Sequence, residues 1–160
     1  MNNFRAPARK GARRDDGVIT RWVGFRVEEQ HYALDILRVQ EVLASAEIEP
    51  VPGTPPAVMG VINLRGRIVT VVDLRRCLGF SAASAQGPCC VIVAELEGEP
   101  VGLRVDGIAE ICSIAAAAIK PAPPTQGRLP DPLLRGIVSR GGSMLTLLDA
   151  DRLGVIAAAP

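Results

Sequence analysis

Apolar residues in this chain alternate with polar ones in short runs, and Gly, Pro and charged clusters separate the runs. That is the signature of strands rather than of long helices. RWVGFRV (21–27) alternates and carries aromatic and β-branched residues. EEQH then reads as a turn and YALDIL (32–37) as the return strand. RVQEVLA (38–44) fits either a helical turn or a continuing strand, because Val39 and Val42 share a helical face and Gln40 and Glu41 lie off it. EIEPVPGTPPAVMG (47–60) is a loop or an edge strand, since proline cannot donate to a sheet ladder. VINLRGRIVTVVDL (61–74) predicts a hairpin turning at Arg65–Gly66, where glycine supplies a positive φ. CCVIVAEL (89–96) is a fully apolar strand, EGEP a turn, and VGLRVDGIAEI (101–111) its continuation. A helical turn at the alanines 115–118 and a second proline-rich loop over 119–132 precede a second hairpin, LLRGIVSRGGSMLTLLDADRL (133–153).

The two halves of this pattern resemble each other. Laying YALDILRVQEV over VGLRVDGIAEI matches Leu34 with Leu103, Ile36 with Val105, Val39 with Ile108, Glu41 with Glu110 and Val42 with Ile111. Each half continues into a proline-rich loop and then a hairpin, where Thr70 matches Thr146, Asp73 matches Asp149 and Arg76 matches Arg152. Two copies indicate a duplicated unit rather than a solenoid. The fold class is therefore all-β: two similar five-stranded barrels, over about 20–80 and 87–157, packed together with short helical turns. Residues matched in both copies, Glu41/Glu110 and Asp73/Asp149, are best explained by the scaffold. Arg65 is different, because it falls on Gly141 in the second copy. An arginine at a hairpin tip, rooted in apolar strands, is well placed to dock on a partner. Asn63, two residues before it, is of the type that bonds the backbone of its own turn.

Composition narrows the function. Nearly half the residues are hydrophobic, so a core forms, but the aromatics are only Phe4, Trp22, Phe25, Tyr32 and Phe80. Little is left for stacking bases, and a net charge of +1 sets up no field for a polyanion. A nucleic-acid-binding barrel using Arg65, Arg67, Arg75 and Arg76 is thus the alternative reading. The basic, aperiodic stretch 1–19 predicts a disordered tail, and without an apolar run after it this is no secretory signal. No apolar run approaches the ~20 residues that span a bilayer. Cys77, Cys89, Cys90 and Cys112 form no C-x-x-C pair and His31 is the one histidine, so no metal site is expected, and the cysteines read as reduced cytosolic thiols. No phosphate loop or dinucleotide fingerprint occurs. His31, expected in the EEQH turn, is the lone candidate for nucleophilic catalysis, and a hydrolase ranks last.

Four segments, FRVEEQHYALDILRVQEVL, GVINLRGRIVTVVDLR, VGLRVDGIAEICSI with IKPAPP, and LLRGIVSRGGSMLTLLDADRL, resemble the CheW family, the coupling proteins of bacterial chemotaxis. They cover nearly all of 20–154. The resemblance implies two packed SH3-like barrels with no enzymatic activity and no cofactor. It implies an adaptor that links transmembrane chemoreceptors to the regulatory domain of a CheA-type histidine kinase, cytoplasmic but recruited to membrane arrays. It places Arg65, Asn63, Ile36, Val39 and Glu41 at the groove that receives the receptor tip and leaves the kinase-facing residues unassigned. This chain departs from the family pattern at Glu28, where glycine is usual, and at Thr70, where proline is common. Its length fits a free-standing adaptor rather than a kinase bearing this domain.

Overall fold

A computed structural model describes residues 17–81, 87–123 and 132–157. The tail expected over 1–19 falls mostly outside them, and Ile19 already belongs to a strand. The strands are β1 (Ile19–Val27), β2 (Gln30–Asp35), β3 (Val39–Ala46), β4 (Val58–Leu64), β5 (Arg67–Asp73), β6 (Cys89–Leu96), β7 (Glu99–Val105), β8 (Gly107–Ala115), β9 (Leu134–Arg140) and β10 (Ser143–Leu148). Helix α1 (Leu74–Cys77) follows β5 and α2 (Ala150–Ala157) follows β10. Single 3₁₀ turns lie at Ile36–Arg38 and Ala116–Ala118. The segment 38–44 is thus mainly strand, entered through a short turn that Asp35 caps by accepting from the Leu37 amide at 3.0 Å. His31 sits in β2 and not in the preceding turn.

The strands form two five-stranded sheets, ordered β8-β1-β2-β10-β9 and β3-β6-β7-β5-β4. Matching β1–β5 to β6–β10 turns one order into the other, so the duplication is built into the pairing. It does not, however, divide the chain into the contiguous halves 20–80 and 87–157. The first sheet takes β1 and β2 with β8–β10, and the second takes the continuous run β3–β7. Each copy's first hairpin pairs with the last three strands of the other copy. The reason lies in the third strand: the turn after Asp35 and the crossover at Asp106 carry β3 and β8 to the opposite sheet. Nor is either sheet closed by a full ladder, as barrels on that division would be. Among the described residues a single bridge joins the two ends of each order, Glu49 with Val61 in one sheet and Lys120 with Ile137 in the other.

Glycine permits those closures. A Cβ on Gly60 would stand 2.1 Å from the Glu49 carbonyl oxygen, and one on its counterpart Gly136 would stand 2.9 Å from that of Lys120. The two capping aspartates also match. Asp73 accepts from the Arg75 amide at 3.1 Å and Asp149 from the Asp151 amide at 3.0 Å, each starting the helix that ends its copy. Their scaffold reading therefore holds.

Three apolar clusters follow from the pleat. Trp22, Ala33, Ile114, Val138 and Leu147 fill the first sheet's interior, and Ile62, Val69, Val71, Val91 and Val93 fill the second's. Between the sheets Phe25, Leu34, Leu74, Ile92, Leu103 and Leu153, all fully buried, form the largest core. An ion network spans the same junction. Asp106 binds Arg104 at 2.5 Å and Arg75 at 3.5 Å, and its other carboxylate oxygen accepts from the Glu28 amide at 2.6 Å. Arg75 also pairs with the Glu28 carboxylate. Burial alone would lower the Arg104 pKa, but Cys89 and Asp106 outweigh it and hold the guanidinium above its ordinary value. Glu28 adopts a φ of +57°. Its amide and carboxylate bonds hold it in that left-handed conformation.

Candidate functional site

The hairpin β4–β5 pairs Leu64 with Arg67, leaving Arg65 and Gly66 as a two-residue loop. Their φ values of +53° and +85° are those of a type I′ turn, which matches the right-handed twist of the strands it joins. Asn63 braces the turn by accepting from the Gly66 amide at 2.8 Å. Glycine is the easy residue for such a position. Arginine at +53° is an outlier that draws attention to its side chain.

That side chain reaches back to β3. Arg65 Nη2 donates to Glu41 Oε1 at 2.5 Å. The guanidinium remains 72 % exposed while the Glu41 side chain is only 25 % exposed. The carboxylate therefore anchors the arginine with one contact and leaves most of its donors facing solvent.

A bulge in β3 aims Glu41. Val39 pairs with Ala94, yet Glu41 pairs with Val93, the very next residue, so Gln40 is extra. Residues adjacent in a strand face opposite sides, so the bulge turns Glu41 away from the side that Val39 faces. Val39, with Ile36, packs half-buried against the core between the sheets. The structure thus brings Arg65, Asn63 and Glu41 together at one end of the second sheet, while Val39 faces the other side of β3 and Ile36 lies on the 3₁₀ turn before it. Contrary to the scaffold reading from the repeat, Glu41 does not serve the core with its carboxylate.

Two apolar side chains at the site escape a reading of the sequence. Leu37 is 85 % exposed on the 3₁₀ turn, and Ile68 is 67 % exposed opposite Asn63 on β5. Both sit inside apolar runs, which hide an outward residue among inward ones. Strict period-2 counting from the buried Val69 and Val71 would have turned Ile68 outward.

The four arginines of the nucleic-acid reading do not form one free basic surface. Arg65 is bound to Glu41, and Arg75 to Glu28 and Asp106. Among the described residues no three His, Cys, Asp or Glu side chains gather as metal ligands, and no helix is long and apolar enough to cross a membrane. All four cysteines are free thiols. Burial, with a contribution from Asp73, pushes Cys77 up to about 11.

A family model described as "CheW-like domain" matches residues 21–155. The chemotaxis protein CheW of Rhizobium meliloti (strain 1021) is 33 % identical over 129 residues, covering 81 % of this chain and 83 % of that protein. Protein FrzA of Myxococcus xanthus is 32 % identical over 132 residues, 81 % of each chain. Among solved structures, the scaffolding protein TtCheW from Thermoanaerobacter tengcongensis superposes with a TM-score of 0.74 at 31 % identity. That match covers 85 % of this chain and 92 % of the other.

Proposed function

Because this chain belongs to the CheW-like domain family, we propose that it is a non-enzymatic chemotaxis adaptor. It couples transmembrane chemoreceptors to a CheA-type histidine kinase, working in the cytoplasm and drawn to membrane receptor arrays through those partners. The observation that carries this reading is the Arg65–Glu41 pair, an exposed guanidinium fixed at 2.5 Å by a half-covered carboxylate on a strained turn. Arg65, Asn63 and Glu41 form the polar end of the receptor site. Val39 on β3 and Ile36 on the turn before it extend it towards the exposed Leu37. A receptor tip built as a helical hairpin would lay an apolar stripe along that edge and meet the free N–H groups of Arg65 with carboxylates or carbonyls.

The test titrates the purified protein separately against a receptor cytoplasmic-tip fragment and the regulatory domain of the kinase, both from the same organism. Arg65→Ala runs alongside. The expected result is saturable binding to both partners, with only the receptor arm weakened, by about 2 kcal/mol or roughly thirtyfold. Binding to neither partner by a folded protein would overturn the adaptor reading. Equal weakening in both arms would remove Arg65 from the receptor site.

A further inference from the structure

The duplication gives the Arg65–Glu41 site a counterpart on the first sheet. Gly141 and Gly142, at the tip of the β9–β10 hairpin, have φ values of +53° and +84°, the turn that Arg65 and Gly66 make at +53° and +85°. Glu110 stands where Glu41 stands. The β1–β8 ladder shifts register between Val23 and Phe25, repeating on β8 the bulge that aims Glu41 on β3. The backbone of the site is therefore present twice, and the arginine once.

At the second copy the surface is hollow. A cavity of about 360 Å³ is lined by Gly24, Phe25, Glu110, Arg140, Ser143 and Met144. Gly24 matches Val93 of the other copy in the ladders, and a Cβ there would stand 2.9 Å from the Glu110 carbonyl oxygen, so the β1 and β8 backbones meet closely beneath the cavity. Glu110 is exposed, and no hydrogen bond or ion pair holds its carboxylate among the described residues. Arg140, also lining the cavity, is engaged elsewhere, donating from Nη1 to the Ser113 carbonyl at 3.3 Å.

We propose that this cavity is a docking site for an arginine side chain offered from a turn of a partner polypeptide, with Glu110 as its counter-ion. The molecule itself indicates the occupant, because the same bulged glutamate binds a guanidinium supplied from a matching turn in the other copy. Met144, exposed at the cavity, gives the aliphatic stem an apolar wall. Arg140, the cation that lines the cavity, disfavours a guest with further basic residues beside the arginine.

The full chain, labelled with ¹⁵N, would be titrated with a cyclic peptide that presents one arginine at an Arg-Gly turn. Lysine and citrulline versions of the peptide serve as controls. Saturable amide shifts at Gly24, Glu110, Ser143 and Met144 are expected with arginine, weaker ones with lysine, and none with citrulline. Glu110→Gln should weaken binding by about tenfold or more, the size of a lost charge-assisted hydrogen bond. Gly141→Arg places the side chain in cis, where a Cβ meets nothing within 4 Å and the φ is that of Arg65. It should abolish binding of the peptide. Because the inference does not use the receptor reading, Arg65→Ala protein should keep the wild-type shifts at Gly24, Glu110, Ser143 and Met144. No saturable shift, equal binding of the citrulline peptide, or unchanged binding to Glu110→Gln would each overturn the proposal.

Discussion

Replacing Gly60 with alanine tests how the second sheet is closed and, through that closure, how Arg65 is held. The added Cβ would lie 2.1 Å from the Glu49 carbonyl oxygen, 2.7 Å from its carbon and 2.9 Å from Pro50 Cα. All three are backbone atoms and cannot rotate away. The Glu49 segment must move off β4, which breaks the reciprocal bonds from Glu49 N–H to the Val61 carbonyl and from Val61 N–H to the Glu49 carbonyl, both 2.8 Å. Two backbone hydrogen bonds are worth roughly 2 kcal/mol, and a φ of +153° adds about 1–2 for a residue with a Cβ. The expected loss is about 3–4 kcal/mol in urea unfolding, a large share of the 5–15 kcal/mol typical of a domain. Gly136→Ala is the internal control. Its nearest obstacle, Ile119 Cγ2 at 2.5 Å, is a side-chain methyl, its one close backbone contact, Lys120 O, stands at 2.9 Å rather than 2.1 Å, and its φ is not left-handed, so the loss there is smaller, about 1–2 kcal/mol. Because β4 leads directly to the Arg65 turn, any Gly60→Ala protein that still folds should also bind the receptor fragment less tightly, while Gly136→Ala should not. A Gly60→Ala protein within ~0.5 kcal/mol of wild type, or a Gly136→Ala protein that loses more, would refute the closure argument.

Arg65→Ala, in contrast, should leave the unfolding midpoint almost unmoved, since an exposed ion pair contributes about 0–1 kcal/mol; loss of fold would show that the arginine is structural. Asp106→Ala strips a shared carboxylate from two arginines whose Nε atoms are already buried without partners, so it should cost about 3 kcal/mol by denaturant titration. A neutral result there would mean that the network does not tie the two sheets. Cys77 keeps its proton in the folded state to about pH 11, against an ordinary value of 9.0, so the native state binds the extra proton between those limits. Stability should therefore fall as pH rises through that window, by up to roughly 1.4 kcal/mol per unit from this thiol. Cys77→Ala should flatten the slope, and an unchanged slope would assign it to other groups.

Strand content, the Arg65–Gly66 turn and the duplication were legible because each rests on local pattern: period-2 alternation, a positive-φ glycine, and matched residues in order. The sheet membership of β3 and β8 was not. It depends on where the chain goes after Asp35 and Asp106, and both routes give the same alternation. The bulge at Gln40 was equally hidden, since one extra residue in a strand becomes visible only against its partner, here Val93 and Ala94. For that reason Glu41 read as scaffold, while its true aim, across the bulge to Arg65, needed the ladder. Helix α2 was read as the end of a strand hairpin, although the Asp149 cap that starts it was already visible as a match to Asp73.

The duplication also measures what Arg65 is for. The two hairpin tips have the same backbone, so the fold requires a left-handed turn there and accepts glycine in both of its positions, as Gly141 and Gly142 show. An L-residue with a side chain in that region costs about 1–2 kcal/mol relative to the right-handed conformation, a cost glycine largely avoids. The pair that Arg65 makes with Glu41 is exposed on the arginine side and offsets only part of that cost. Folding alone would therefore favour glycine at position 65. An arginine held at a net cost, with its guanidinium turned to solvent and aimed by a bulged glutamate, fits the proposed receptor contact. The same comparison assigns the opposite logic to Glu110, a carboxylate on the matching bulge that faces a hairpin tip of glycine where Glu41 faces Arg65.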